Sequence, residues 1–337
     1  MRLSLEEIRR VTQGAVRVEE TDGQIHFYRF TEEQERRYES YDPALYQKCF
    51  ATAGIVLRFQ TDSPRIHLQV TALKSTSRTY FAADVLRDGV FIGAVENFKG
   101  YDLAGDYTTH EFPLGTYEKT FDLDEGIKTV TVYLPWSVDL RLDGLTLEDG
   151  SFVLPVVRNK KILIFGDSIS QGYDALHPMN RYPVALAERL GAEECNKAIG
   201  GEFFWPTLAK MKDPFAPDYI AVAYGTNDWG WKTWTEFAEN GRAFYQNLSS
   251  SYPDARIFAL LPIWRRDMDE VRKCCPFRQV ADTIREWAAD LPNVTVIDCF
   301  DYVPHDPAYF ADFRLHPNDR GFEHYGRNLA GFFAANP

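Results

Sequence analysis

The sequence predicts an all-β sandwich or jelly roll followed by an α/β domain whose parallel sheet is covered on both faces. Three observations carry this expectation. Apolar residues alternate with period two through much of the first half. Short unbroken apolar runs alternate with helix-period segments in the second half. The change of period falls near Pro155, so the division expected is 1–155 and 156–337.

In the first part, Ile66, Leu68 and Val70 alternate with Arg65, His67 and Gln69, the pattern of a half-buried strand. Asp88-Gly89 separates Val85-Leu86-Arg87 from Val90-Phe91-Ile92, a strong hairpin signal because a primed turn needs positive φ at both central residues. Val130, Val132 and Leu134 alternate with polar or amphipathic residues, and Val138, Leu140 and Leu142 continue the pattern after Pro135-Trp136. Asp143-Gly144 and Asp149-Gly150 read as further turns. The segment Thr31 to Arg37 is compatible with a short helix or a charged loop. Many short strands with few helices mean a sandwich or jelly roll.

In the second part, the apolar runs Lys161–Phe165, Tyr219–Tyr224, Arg256–Leu261 and Val294–Ile297 suit buried parallel strands. Between and after them, Phe277, Val280, Ile284, Trp287 and Leu291, then Phe322, Tyr325, Leu329 and Phe332, recur at helical spacing.

Composition narrows the function. Thirty-seven Lys and Arg against 49 Asp and Glu leave a net charge of −12. A nucleic-acid binder needs a basic stripe, and an anionic membrane surface repels such a chain, so neither partner is expected. No apolar run approaches the roughly 18 residues of a membrane helix. The first residues, MRLSLEEIRRVTQG, do not read as a secretory leader. The five cysteines, Cys49, Cys195, Cys274, Cys275 and Cys299, are scattered and form no CxxC, which suits free thiols in a cytoplasmic protein and not a zinc site.

Sites in open α/β sheets form beyond the carboxyl ends of the strands. The segment just after each apolar run is therefore telling. The first run leads into Gly166-Asp167-Ser168-Ile169-Ser170-Gln171-Gly172. Next come Asn196-Lys197-Ala198-Ile199-Gly200-Gly201, then Gly225-Thr226-Asn227-Asp228, and near the C-terminus Asp312-Phe313-Arg314-Leu315-His316-Pro317-Asn318-Asp319. These are the residue types of acyl transfer. A serine hydroxyl needs a base, usually His, to remove its proton. The tetrahedral oxyanion needs preplaced donors, which glycine N–H groups and an asparagine amide supply.

The four blocks, in this order and each at a strand end, resemble the SGNH hydrolases, the GDSL esterase/lipase family, over roughly Lys161 to Pro337. The resemblance implies a flavodoxin-like three-layer α/β/α domain. It implies Ser168 as nucleophile and His316 as base. The oxyanion hole would be the Ser168 N–H, the Gly201 N–H and the Asn227 amide, with Gly200 the alternative glycine donor. No cofactor and no metal are implied. A β-sandwich ahead of such a domain is similar to two-domain carbohydrate esterases, which points to a serine esterase acting on acetyl esters of a carbohydrate, a small-molecule or oligosaccharide substrate.

Aromatics crowd the same loops. Trp205, Trp229 and Trp264 are expected to line the substrate, since sugar rings offer apolar faces together with hydroxyls. The rival readings are a thioesterase or lysophospholipase and an inactive sugar-binding homologue. His177, His305 and His324 are expected to be structural or surface residues. One departure stands out. The family places the acid three residues before the His, where this chain has Phe313; Asp312 lies one residue further back. Either the loop bulges so that Asp312 reaches His316, or a Ser–His dyad operates; the bulged triad is the expectation.

Overall fold

The computed structural model describes residues 1–103 and 107–335. Two antiparallel sheets and one parallel sheet make up its β structure. In the first sheet, strands Thr12–Gln13, Val56–Thr61, Lys128–Tyr133, Ala82–Arg87 and Val90–Glu96 lie in that order, and Leu154–Pro155 adds to Val56–Thr61. The second runs Arg17–Thr21, Gln24–Tyr28, Val138–Leu147, Arg65–Lys74, Gly115–Asp122. The alternation read in the sequence becomes the sandwich core: Leu57, Phe59, Val130 and Val132 from one sheet meet Leu68, Val70 and Leu140 from the other.

The Asp88-Gly89 turn has φ of 49° and 80°, as a type I′ hairpin requires, and pairs Arg87 with Val90. Asp143-Gly144 is not a turn. It lies inside Val138–Leu147, where the register shifts between Leu142 and Gly144. The Asp143 carboxylate accepts from Gln24 Nε2 at 2.7 Å and Thr71 Oγ1 at 2.7 Å, so the local signal is absorbed as a bulge in a continuing strand.

The parallel sheet has the strand order Ala192–Asn196, Lys160–Gly166, Tyr219–Ala223, Arg256–Leu260, Val294–Ile297, which is the flavodoxin-like order 2-1-3-4-5. Successive side chains of Lys160–Gly166 point to opposite faces. Ile162 and Ile164 pack with Leu186 and Phe322 from helices Tyr182–Leu190 and Asp319–Ala335. Leu163 and Phe165 pack with Phe244 and Ile284 from helices Trp234–Ser251 and Phe277–Ala289. Among the described residues, no helix is long and apolar enough to cross a membrane.

The segment at Thr31 is helical. Thr31 and Gln34 form a reciprocal capping box for helix Glu32–Tyr41, and Asp42 caps the next helix, Pro43–Lys48. This helical pair belongs to the other core: Phe30, Tyr38, Leu45 and Cys49 are buried with Leu163, Phe165 and Tyr224 of the parallel-sheet domain. Arg29 locks the arrangement. Its buried guanidinium donates to the carbonyls of Lys48 at 2.9 Å, Ala51 at 2.6 Å, Asn196 at 3.1 Å and Ala198 at 2.9 Å. Burial pushes its pKa down to about 10. The chain around Arg29 thereby grips the loop that carries Gly200 and Gly201.

Candidate active site

Strand Lys160–Gly166 ends in a turn that only glycine permits, since a Cβ on Gly166 would lie 2.3 Å from Ser170 Oγ and 3.1 Å from the Ala223 carbonyl. Asp167 then caps the short helix Ser168–Gln171, its Oδ1 accepting from the Ile169 N–H at 3.0 Å. Burial pushes the Asp167 carboxyl up to about 6, against that hydrogen bond. Ser168 is left at the first position of the helix, 5% exposed.

Ser168 Oγ lies 2.9 Å from His316 Nε2, and His316 Nδ1 lies 2.9 Å from Asp312 Oδ2. An ionised carboxylate only accepts, so Nδ1 carries the ring proton and Nε2 is left to accept the serine hydroxyl proton. Asp312 reaches the ring because Phe313, the additional residue, turns through the left-handed region at φ 54°. The other Asp312 oxygen accepts the N–H groups of Arg314 at 3.0 Å, Leu315 at 2.7 Å and His316 at 3.1 Å, which closes the loop around it. Burial alone would raise the Asp312 pKa. The His316 hydrogen bond and charge, with the Leu315 and His316 amides, outweigh it and hold the carboxyl well below the usual range.

A second carboxylate faces the same nitrogen. Asp174 Oδ2 is 3.4 Å from His316 Nδ1. It is fully buried at φ 74°, held by the Arg78 guanidinium at 2.7 and 3.1 Å and by the Tyr80 hydroxyl at 2.6 Å, both from the sandwich part. Asp174, Asp312 and His316 are close enough to share a cation. Arg78 already neutralises Asp174, however, and His316 Nδ1 is committed to Asp312, so the donors are better explained as a hydrogen-bonded relay.

The two glycines differ in their partners. The Gly200 N–H donates to Gln171 Oε1 at 2.7 Å, and Gly200 sits so close to the Tyr173 ring that a Cβ would approach it to 2.6 Å. Gly201, at φ 89°, has an N–H without a partner among the described residues. Asn227 comes after strand Tyr219–Ala223; one proton of its amide donates to the Glu202 carbonyl at 3.0 Å and the other remains available. Burial pushes the Glu202 carboxyl up to about 8, against hydrogen bonds from Tyr38 and Tyr224. Burial thus works against a full negative charge beside these donors.

Trp229 departs from expectation, while Trp205 and Trp264 are partly exposed. Trp229 is fully buried; its indole N–H donates to the Cys275 carbonyl at 2.9 Å and Arg265 and Arg272 cover its ring, so it is core and not a substrate wall. Trp205 stacks on Tyr41 at 5.0 Å and meets Tyr38 edge-on. Trp264 stacks on His305 at 5.3 Å. His177 pairs with the buried Asp84 at 2.7 Å, a structural contact between the two parts. Asp174, Arg78 and Lys48 were not singled out by sequence. Asp174 lies two residues after the GDSISQG block, while Arg78 and Lys48 carry no local signal at all.

Residues 164–324 match the family model described as GDSL-like Lipase/Acylhydrolase. The chain carries a GDSL-like lipase/acylhydrolase domain. No curated protein matches the chain. Solved structures share its fold. The salicylyl-acyltransferase SsfX3 from a tetracycline biosynthetic pathway is 20% identical with a TM-score of 0.78, over 96% of this chain and 94% of that one. A family two carbohydrate esterase from Cellvibrio japonicus is 16% identical with a TM-score of 0.64, over 99% and 97%. Another from Clostridium thermocellum, solved in complex with cellohexaose, is 14% identical with a TM-score of 0.63, over 85% and 93%. The GDSL domain and its sandwich are thus similar in fold to two-domain carbohydrate esterases and to an acyltransferase.

Proposed function

We propose that the protein is a serine esterase that removes a short acyl group, acetyl, from a carbohydrate. The observation that carries this reading is the continuous relay Ser168–His316–Asp312, with both contacts at 2.9 Å. Ser168 Oγ attacks the ester carbonyl while His316 Nε2 takes its proton. The oxyanion forms against the Ser168 and Gly201 N–H groups and the free Asn227 amide proton. His316 returns the proton to the departing sugar alcohol. Water then hydrolyses the acyl-enzyme with His316 again as base.

A sugar alcohol is compatible with the surroundings. Beside Asp312 lies an open cavity of about 590 Å³ lined by Arg266, Asp267, Asp269, Glu270, Asp312, Phe313 and Arg314, whose apolar stems and charged heads together suit a sugar ring. The family two esterase solved with cellohexaose supports the same substrate class. We place the protein in the cytoplasm, where its five buried free thiols stay reduced. The test is acetate release from acetylated xylan, mannan and pectin oligosaccharides, with p-nitrophenyl acetate and octanoate compared in parallel. Acetate release and a preference for acetyl of about tenfold or more are expected. Preference for octanoate would instead favour a lysophospholipase or thioesterase.

Asn227→Ala gives a sharper check on the oxyanion hole. Its amide acts only when charge develops, so kcat should fall by roughly 10²–10³ with KM little changed. A change confined to KM would make Asn227 a ground-state contact.

A further inference from the structure

We propose that Lys48 is a positioning residue for the oxyanion hole: its ammonium, bonded to the Gly200 carbonyl, orients and polarises the peptide whose other end is the Gly201 N–H. This rests on the reading of Ser168 as the nucleophile.

The geometry is that of one peptide plane. Lys48 Nζ donates to the Gly200 oxygen at 2.6 Å. No cis peptide occurs among the described residues, so the Gly200 C=O and the Gly201 N–H point in opposite directions. A cation on the oxygen draws electron density towards it and strengthens the N–H as a donor on the far side. The ammonium lies alongside Gly201 itself, where a Cβ would be 3.6 Å from Nζ.

Lys48 is held in place for this. It ends helix Pro43–Lys48, and its own carbonyl accepts from Arg29 at 2.9 Å. The other end of the glycine pair is fixed by the Gly200 N–H bond to Gln171. What distinguishes Lys48 from a mere tether is its charge. No carboxylate lies within 4 Å of its Nζ among the described residues, and the side chain is half-buried. Burial pulls its pKa down, with Asp42 and Glu202 opposing, and Glu202 is itself pushed up to about 8. A half-buried ammonium with no carboxylate in direct contact still carries a desolvation cost. A neutral side chain would tether the loop more cheaply; the cation makes sense where negative charge appears during the reaction.

The experiment uses the full chain, with p-nitrophenyl acetate turnover and inhibition by methylboronic acid. In the boronate complex Ser168 Oγ bonds to boron, its proton passes to His316, and the tetrahedral borate anion places an oxygen against the Gly201 and Asn227 donors. Lys48→Met is expected to lower kcat about tenfold, less than loss of a direct donor, with KM unchanged and boronate affinity reduced by a similar factor. Lys48→Arg, which keeps charge and donor, should stay close to wild type. A merely structural role would move KM and kcat together, and Lys48→Arg would not rescue. Unchanged kcat and boronate affinity in Lys48→Met would overturn the proposal, as would that combined loss. Should Lys48→Met fail to fold, Lys48→Gln, a neutral donor, must show the same selective loss. A wild-type enzyme that ignores methylboronic acid would instead remove the serine reading; inhibition equal in wild type and variant removes only the role of Lys48.

Discussion

Ser168→Ala should lose on the order of 10⁶ in kcat and keep its fold. The side chain is small and its hydroxyl contacts His316 at 2.9 Å, so replacing it removes one hydrogen bond and opens little space. The turn around it does not depend on the hydroxyl. The Ser168 carbonyl accepts from the Gly172 and Tyr173 N–H groups, and Asp167 caps the helix, whichever residue occupies the position. Without a nucleophile there is no acyl-enzyme, and the oxyanion donors can assist only direct attack by water. Circular dichroism establishes the fold and p-nitrophenyl acetate turnover the activity. A variant that is folded and keeps a tenth of wild-type rate would show that the attack comes from elsewhere.

Asp312→Asn carries the second-largest expected effect, a loss of roughly 10³ in kcat. The replacement is isosteric, and Asn still accepts the Arg314, Leu315 and His316 amides through one oxygen. What changes is the atom facing His316 Nδ1. An amide nitrogen there donates where the carboxylate accepted, so the ring proton is driven to Nε2 and the serine proton has nowhere to go. Full loss of a triad acid reaches about 10⁴. The somewhat smaller figure reflects Asp174, whose oxygen is 3.4 Å from Nδ1 and can hold part of the correct tautomer. A loss under about tenfold would assign catalysis to a Ser–His dyad.

Features that depend on neighbours along the chain are legible in the sequence alone. Period two and period 3.6 separate the sandwich from the parallel sheet, because side-chain direction repeats with the backbone. Asp88-Gly89 makes its hairpin because both residues tolerate positive φ. The blocks holding Ser168, Gly201 and Asn227 fall at strand ends because parallel strands all deliver their loops to one edge of the sheet, whereas His316 lies 19 residues beyond the last strand, just ahead of the final helix. Other features emerged only on packing. The extra residue before His316 points to a bulge, but that Phe313 turns it through the left-handed region, a strain the surrounding loop must hold, emerged only in the fold. Trp229 became core because Arg265, Arg272 and the Cys275 carbonyl satisfy it from positions well outside its own loop. Asp143-Gly144 stayed in a strand because Gln24 and Thr71 occupied the Asp143 carboxylate. Arg78 meets Asp174 across 96 residues of chain, and Lys48 meets Gly200 across 152. Contacts of that range are set by how whole layers pack, and packing is cooperative: it exists only once every layer is in place.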